Sequence, residues 1–558
     1  LIKTVMTRCI QCTRCVRFST EVAGVTEMGM ISRGENAEIT TYLEHAVSSE
    51  LSGNLNDLCP VGALTHKPWA YNYRPWELTK TETIDVMDAL GANIRVDNRG
   101  AAVLRVLPRL NDAINEEWIT DKSRYAVDGL GRQRLDRPYV RKEGKLAPAS
   151  WDEALALVAA KIKATPLSRT AVLAGDLQDA ESLKAAKDLF SGLGVANLDC
   201  RQDGARIGPV SPETPREAWL FNSGIAGIED ADAIVLIGTN PRLEASLINA
   251  RLRKIWLSGK TEIALIGEKS DLTYDYAYIG DGPAALNALA DSEFARTVLE
   301  KAQRPAFIVG MGALNREDGA AVLAKIGELG ARFGVVRDGW NGFNLLHTAA
   351  ARVAGLDLGF VPGEGGLDRD GILKAASSGA MDLVVLLGAD ELDMTRLGQS
   401  FVVYIGSHGD AGAARADVIL PAAAYTEKSG FYVNLEGRVQ LGERSVFPKG
   451  EAKEDWAILR ALSGHLAALG AGQVLPYDSL ADLRARLMAD HPTFGRLDYR
   501  PEPGSLDLKA LGQAGPMSDQ PFLSPVADFY LTNPIARASV TMAECSALRS
   551  APVALAAE

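Results

Sequence analysis

Three of the six cysteines of this 558-residue chain fall in the run RCIQCTRC, as Cys9, Cys12 and Cys15, and a fourth, Cys59, opens CPVGAL. Two-residue spacers let one tight loop present three thiolates to three corners of a cubane, with a distant Cys-Pro supplying the fourth. The set reads as one 4Fe-4S site. In the bacterial ferredoxin run a further Cys follows the third ligand and serves a second cluster; here that position is Ser19, so a single cluster is expected. Structural zinc is the competing reading, although zinc usually draws on two separated pairs of ligands. A disulfide scaffold suits the chain poorly, because six cysteines in this length are few. Cys200 and Cys545 have no partner at ligand spacing and read as buried thiols.

Other residue types offer less. His45, His66, His347, His408, His465 and His491 are scattered and form no HExxH. They read as surface or satisfied core side chains. Asp390, Glu391 and Asp393 could suggest an acid/base pair, but beside a strand end a solvated turn is the simpler expectation. Arg8, Arg14 and Arg17 surround the cysteine run. They read either as a solvated basic patch or as charges that offset a thiolate-ligated cluster.

The elements that must position these residues follow from patterning. Residues 1–78 show little periodicity and read as a segment organised by its cluster. Residues 79–149 read as a small β-rich module whose strands turn between Asp97 and Gly100, where Asn and Gly accept positive φ. From Ser150, with Glu153 completing a capping box, helical and strand patterns alternate. Short apolar runs at 170–176, 233–241, 262–268, 306–313 and 382–390 are continuous in β-branched and Leu residues, as in parallel strands buried on both faces. The fold class is α/β: a cysteine-rich, ferredoxin-like 4Fe-4S segment followed by a doubly wound body, in two subdomains over 150–463. Residues 464–558 read as a loop-rich extension.

Composition excludes some functions. A net charge of −12 argues against nucleic-acid binding, which needs a basic face. No apolar run approaches the roughly 18 residues of a membrane span. No GxGxxG or phosphate loop appears, so NAD or ATP binding in this chain is poorly supported. Leu1 is not an initiator, and the chain is expected to be a fragment lacking its natural N-terminus.

The segments MTRCIQCTRCVRF, ELSGNLNDLCPVGALTHKP, NEEWITDKSRYAVDGL, ADVILPAAAYTEKSGFYVNLEGRVQ and DFYLTNPIARASVTMAEC together resemble the large iron-sulfur subunit of proton-pumping NADH:quinone oxidoreductase, respiratory complex I, in its alphaproteobacterial and mitochondrial branch. The resemblance implies an electron-transfer role between NADH/FMN and quinone, with Cys9, Cys12, Cys15 and Cys59 as ligands. It further implies a missing N-terminal portion carrying one 2Fe-2S and one more 4Fe-4S cluster. The partners would be the flavin-bearing NADH-oxidising subunits and the next iron-sulfur subunits. The location would be the peripheral arm, at the cytoplasmic face of a bacterial inner membrane or the matrix side of the mitochondrial one. The body resembles molybdopterin oxidoreductases such as formate dehydrogenase. No cysteine lies between Cys59 and Cys200, so the cluster ligands of that module are taken as lost and no molybdopterin is expected. A molybdopterin-dependent dehydrogenase remains the alternative.

Overall fold

The computed structural model describes residues 1–41, 47–209, 211, 213–502 and 504–550; His45 lies outside them. Two sheets, one parallel and one mostly parallel, form the body. The larger has seven strands, ordered by residue as 197–199, 170–174, 383–387, 401–406, 418–421, 139–142 and 145–148. The first five are mutually parallel, and the last two form an antiparallel edge hairpin. The smaller sheet is parallel throughout, in the order 277–280, 262–266, 233–237, 305–310 and 343–346. All five apolar runs singled out by composition are strands of these two sheets.

The differences have physical reasons. The hairpin 139–148, grouped with the small module by sequence, hydrogen-bonds to strand Val418–Pro421 and extends the larger sheet. Its partner lies hundreds of residues away, which no local pattern reveals. The helix Asp455–Ala468 runs across the expected boundary at 463, and Leu480–Asp490 adds a further helix to the extension. At the start of helix Trp151–Ala164 only half the capping box forms. Ser150 Oγ accepts the Glu153 amide at 3.2 Å, while the Glu153 carboxylate turns away to Lys142 at 2.8 Å.

The small module is a three-stranded antiparallel sheet, Thr79–Ile84, Asn93–Arg99 and Ala102–Pro108. Its second turn passes through Gly100 at φ +59°, a left-handed conformation that glycine adopts without strain.

The cluster segment owes its position to the smaller sheet. Along strand Ala233–Ile237, alternate side chains point to opposite faces. Ala233, Val235 and Ile237 enter the core of the body. Ile234 and Leu236 face a second core, which they share with Cys15, Phe18, Leu55 and Ile94. Phe18 also meets Trp118, with ring centroids 4.9 Å apart. Burying such a side chain contributes about 1.5–3 kcal/mol, so this apolar seam fixes the cysteine loop against a rigid sheet.

Candidate iron-sulfur site

The antiparallel pair Ile2–Thr4 and Leu64–His66 closes the base of the site. It continues through Val5 N–H to Ala63 O at 2.8 Å, bringing the loop after residue 5 beside the loop after residue 59. Cys9 ends the short helical turn Met6–Arg8, and Cys15 lies in the first turn of the helix Arg14–Arg17. Between them Gln11 and Thr13 adopt φ of +48° and +61°. Each costs a non-glycine residue about 1–2 kcal/mol. The reversal they produce brings the intervening Cys12 onto the pocket lining. Cys59 follows the helix Asn54–Leu58 as its C-cap, and Pro60 ends that helix.

All four cysteines line one pocket, with Met6, Ile39, Val61 and Leu64 among its apolar walls and Arg14 as its charged member. The tertiary structure therefore brings together every residue that the spacing singled out. Cys15 is buried and the other three are partly buried. Burial pushes the Cys15 thiol up, the amides of Val16 and of Cys15 itself pull it down, and the nearby Cys12 and Cys9 push it up again. Two further amides serve sulfur: Gln11 N–H donates to Cys9 Sγ and Leu64 N–H to Cys59 Sγ, each at 3.4 Å. Such donors stabilise thiolate charge. The donor set fits an iron-sulfur centre: four thiols, amides aimed at sulfur, and an apolar enclosure. Ser19, where a second-cluster ligand would stand, is buried, and among the described residues its hydroxyl has no partner.

Of the flanking arginines, Arg8 donates to Tyr71 OH at 2.7 Å and so is tied down rather than free. Sequence spacing gave no hint of a buried polar group next to Cys59. His66 Nδ1 lies 2.8 Å from Tyr125 OH and His66 Nε2 lies 3.2 Å from Asp57 Oδ1, while Arg124 contacts both Asn54 and Asp57. Their only sequence signal is that Asn54 and Asp57 stand in the stretch leading to Cys59.

The crevice at the carboxyl ends of the body's strands, where open α/β sheets place ligands, looks different. Cys200 is buried there and its thiol is pushed up to about 12, chiefly by burial. Asp203 pairs with Arg352 at 2.9 Å. Arg537, from the C-terminal helix Pro534–Ala538, reaches Glu391 at 2.7 Å and Asp410 at 2.6 Å. Asp390 is no solvated turn. It is 4% exposed, accepts the Gly412 amide at 2.5 Å and the Tyr404 hydroxyl, and is pushed up to about 6 by burial. Asp393 caps a short helix. His347 and His408 are core residues bound to the carbonyls of Trp219 and Gly129.

The site and its support define a class: an iron-sulfur protein built on a molybdopterin-oxidoreductase-like α/β body. Comparison with known proteins narrows the class. Family models match at residues 1–65 (NADH-quinone oxidoreductase subunit 3, ferredoxin-like domain), 78–128 (NADH-ubiquinone oxidoreductase NDSU1/NuoG-like, 4Fe-4S domain), 134–465 (molybdopterin oxidoreductase) and 500–545 (the C-terminal part of the NADH-ubiquinone oxidoreductase G subunit). The chain is 45% identical over 98% of its length to the mitochondrial NADH dehydrogenase (ubiquinone) iron-sulfur protein 1 of Solanum tuberosum, covering 72% of that protein. It is 44% identical, again over 98%, to the G subunit of the NADH-quinone oxidoreductase of Rickettsia bellii, covering 77% of it. The acetylene hydratase of Pelobacter acetylenicus shares the fold, with TM-score 0.52 at 12% identity over 75% of this chain and 72% of that one. The chain belongs to the family of the large iron-sulfur subunit, the G subunit, of NADH:quinone oxidoreductase. Its molybdopterin-like body is a matter of shared fold.

Proposed function

We propose that Cys9, Cys12, Cys15 and Cys59 hold one 4Fe-4S cluster and that this chain relays electrons through it, from NADH and flavin on a partner subunit towards quinone. The observation that carries the proposal is the single pocket lined by all four thiols. Among the described residues no group of three or more His, Cys, Asp or Glu could hold a single metal ion. A zinc site gathers its sulfurs about 2.3 Å from one point, whereas a cubane takes one sulfur at each of four separate irons. Iron and acid-labile sulfide content therefore separates the two readings.

When bound, such a cluster supplies one-electron transfer. The thiolates fix its place, the amides of Gln11 and Leu64 stabilise charge on two of the sulfurs, and the apolar walls limit water. Ile10 lines the pocket yet is 58% exposed, so one wall faces outward where a neighbouring redox centre can approach. At the strand ends Arg352 and Arg537 are paired with Asp203, Glu391 and Asp410, and no cysteine lies between Cys59 and Cys200, which supports a body without molybdopterin. By family membership the neighbours are other complex I subunits in the peripheral arm, among them the flavin-bearing and the next iron-sulfur subunits. Among the described residues no helix is long and apolar enough to cross a membrane.

The test is anaerobic reconstitution of the chain with iron and sulfide, read by metal and sulfide assay and low-temperature EPR. About four irons per chain, lost in Cys12→Ala, are expected. One zinc per chain with no acid-labile sulfide would overturn the assignment.

A further inference from the structure

A buried guanidinium pins the helix that leads into Cys59. The Arg124 side chain has no exposed surface; its Nη2 lies 2.7 Å from Asp57 Oδ2 and donates to Asn54 Oδ1 at 2.8 Å. Gly53 makes room for it, since a Cβ there would stand 2.7 Å from Arg124 Cδ. Charge compensation is incomplete. Among the described residues Arg124 Nε and Nη1 have no acceptor; Asp57, the carboxylate it contacts, is 32% exposed and shared with His66, and burial, the largest influence on the nearby Asp121, pushes that carboxyl up to about 7. Burial holds the His66 imidazolium below its ordinary range, so histidine adds no second cation.

A buried cation with unfilled donors is costly unless an opposite charge stands close by. Four thiolates around a cluster are such a charge, and Asp57, which Arg124 contacts, precedes Cys59 by two residues at the end of helix Asn54–Leu58. We propose that Arg124 is the internal counter-charge of the cluster, a positioning residue that holds the Cys59 helix and raises the cluster's reduction potential. Net charge near a cluster is one of the factors that set its potential. The inference rests on the four-cysteine reading given above.

The experiment is an EPR-monitored redox titration of the reconstituted full chain with Arg124→Met, Arg124→Gln and Arg124→Lys. In the neutral variants the reduced-to-oxidised ratio at fixed potential should fall about tenfold, equivalent to 59 mV for one electron, while Arg124→Lys should stay within about threefold of the parent. Loss of iron from both neutral variants but not from the lysine variant would equally support a requirement for charge. A parental potential in a neutral variant that retains its irons, or loss of the cluster from the lysine variant as well, would overturn the proposal. If the parent chain itself binds no iron and sulfide, the cysteine assignment has failed instead, which the iron assay distinguishes.

Discussion

Two regions of this molecule stand where a metal centre could be expected, and they are built in opposite ways. Around Cys9, Cys12, Cys15 and Cys59 the thiols are left without acid partners, in a pocket with apolar walls and amides pointing at sulfur. At the strand ends of the body the arginines are paired from within the chain, Arg352 by Asp203 and Arg537 by Glu391 and Asp410, while among the described residues Asp176 Oδ1 has no hydrogen-bond partner. One region holds its donors in reserve for a ligand. The other spends them on stability. Fold alone would point to the crevice; side-chain chemistry points to the loop.

The largest contrast is expected between two buried cysteines. Cys15→Ala should abolish the cluster and, in an assembled complex, collapse quinone reduction while electron flow from NADH to an acceptor near the flavin survives. Cys200→Ala should leave iron content and electron transfer at the parental level. Iron assay and the two activities, with assembly checked on a native gel, measure both. Parental iron in the first variant or loss of iron in the second would erase the contrast.

Next comes the metal content of the crevice. Elemental analysis of the native complex should find iron and sulfide without molybdenum or tungsten. A stoichiometric amount of either metal would make the two regions alike.

A smaller effect follows from the crevice's own ion pairs. Arg537→Ala leaves Glu391 and Asp410 without their cation and should cost roughly 2–3 kcal/mol of stability, the scale of hydrogen bonds to charged groups. The cluster should keep its EPR spectrum. Denaturant melting that matches the parent would show that the strap 534–538 does not brace the body.

The smallest is a pH effect. Glu244 is 3% exposed and burial, its largest influence, pushes its carboxyl up to about 7. The folded state therefore holds a proton that the unfolded chain releases near 4.5. The stability this contributes is fully present below that unfolded value and is lost as pH rises through about 7. Glu244→Gln, which keeps an acceptor for Thr239 at the site, should flatten this slope in melting curves between pH 4.5 and about 7. An unchanged slope would assign the pH dependence to other buried carboxyls.

What the sequence determined by itself is the set of features encoded over short distances. The Cys-x-x-Cys-x-x-Cys spacing marks a cluster loop because ligand geometry is local. The runs AIVLIG and LVVLLG mark buried parallel strands because a short continuous apolar run rich in β-branched residues is read within one strand. Ser150 announces a helix start because capping spans three residues. Tertiary structure decided whatever depends on partners distant in the chain. It set Cys59 beside Cys9 through the pairing of Ile2–Thr4 with Leu64–His66. It added the hairpin 139–148 to a sheet whose other strands begin at residue 170. It turned Asp390 from an apparent surface turn into a buried acceptor for Tyr404, and placed Arg124 under the Cys59 helix although it lies far along the chain. A charged residue looks the same in sequence whether solvated or buried, and only packing fixes the dielectric and the counter-charge that decide its role.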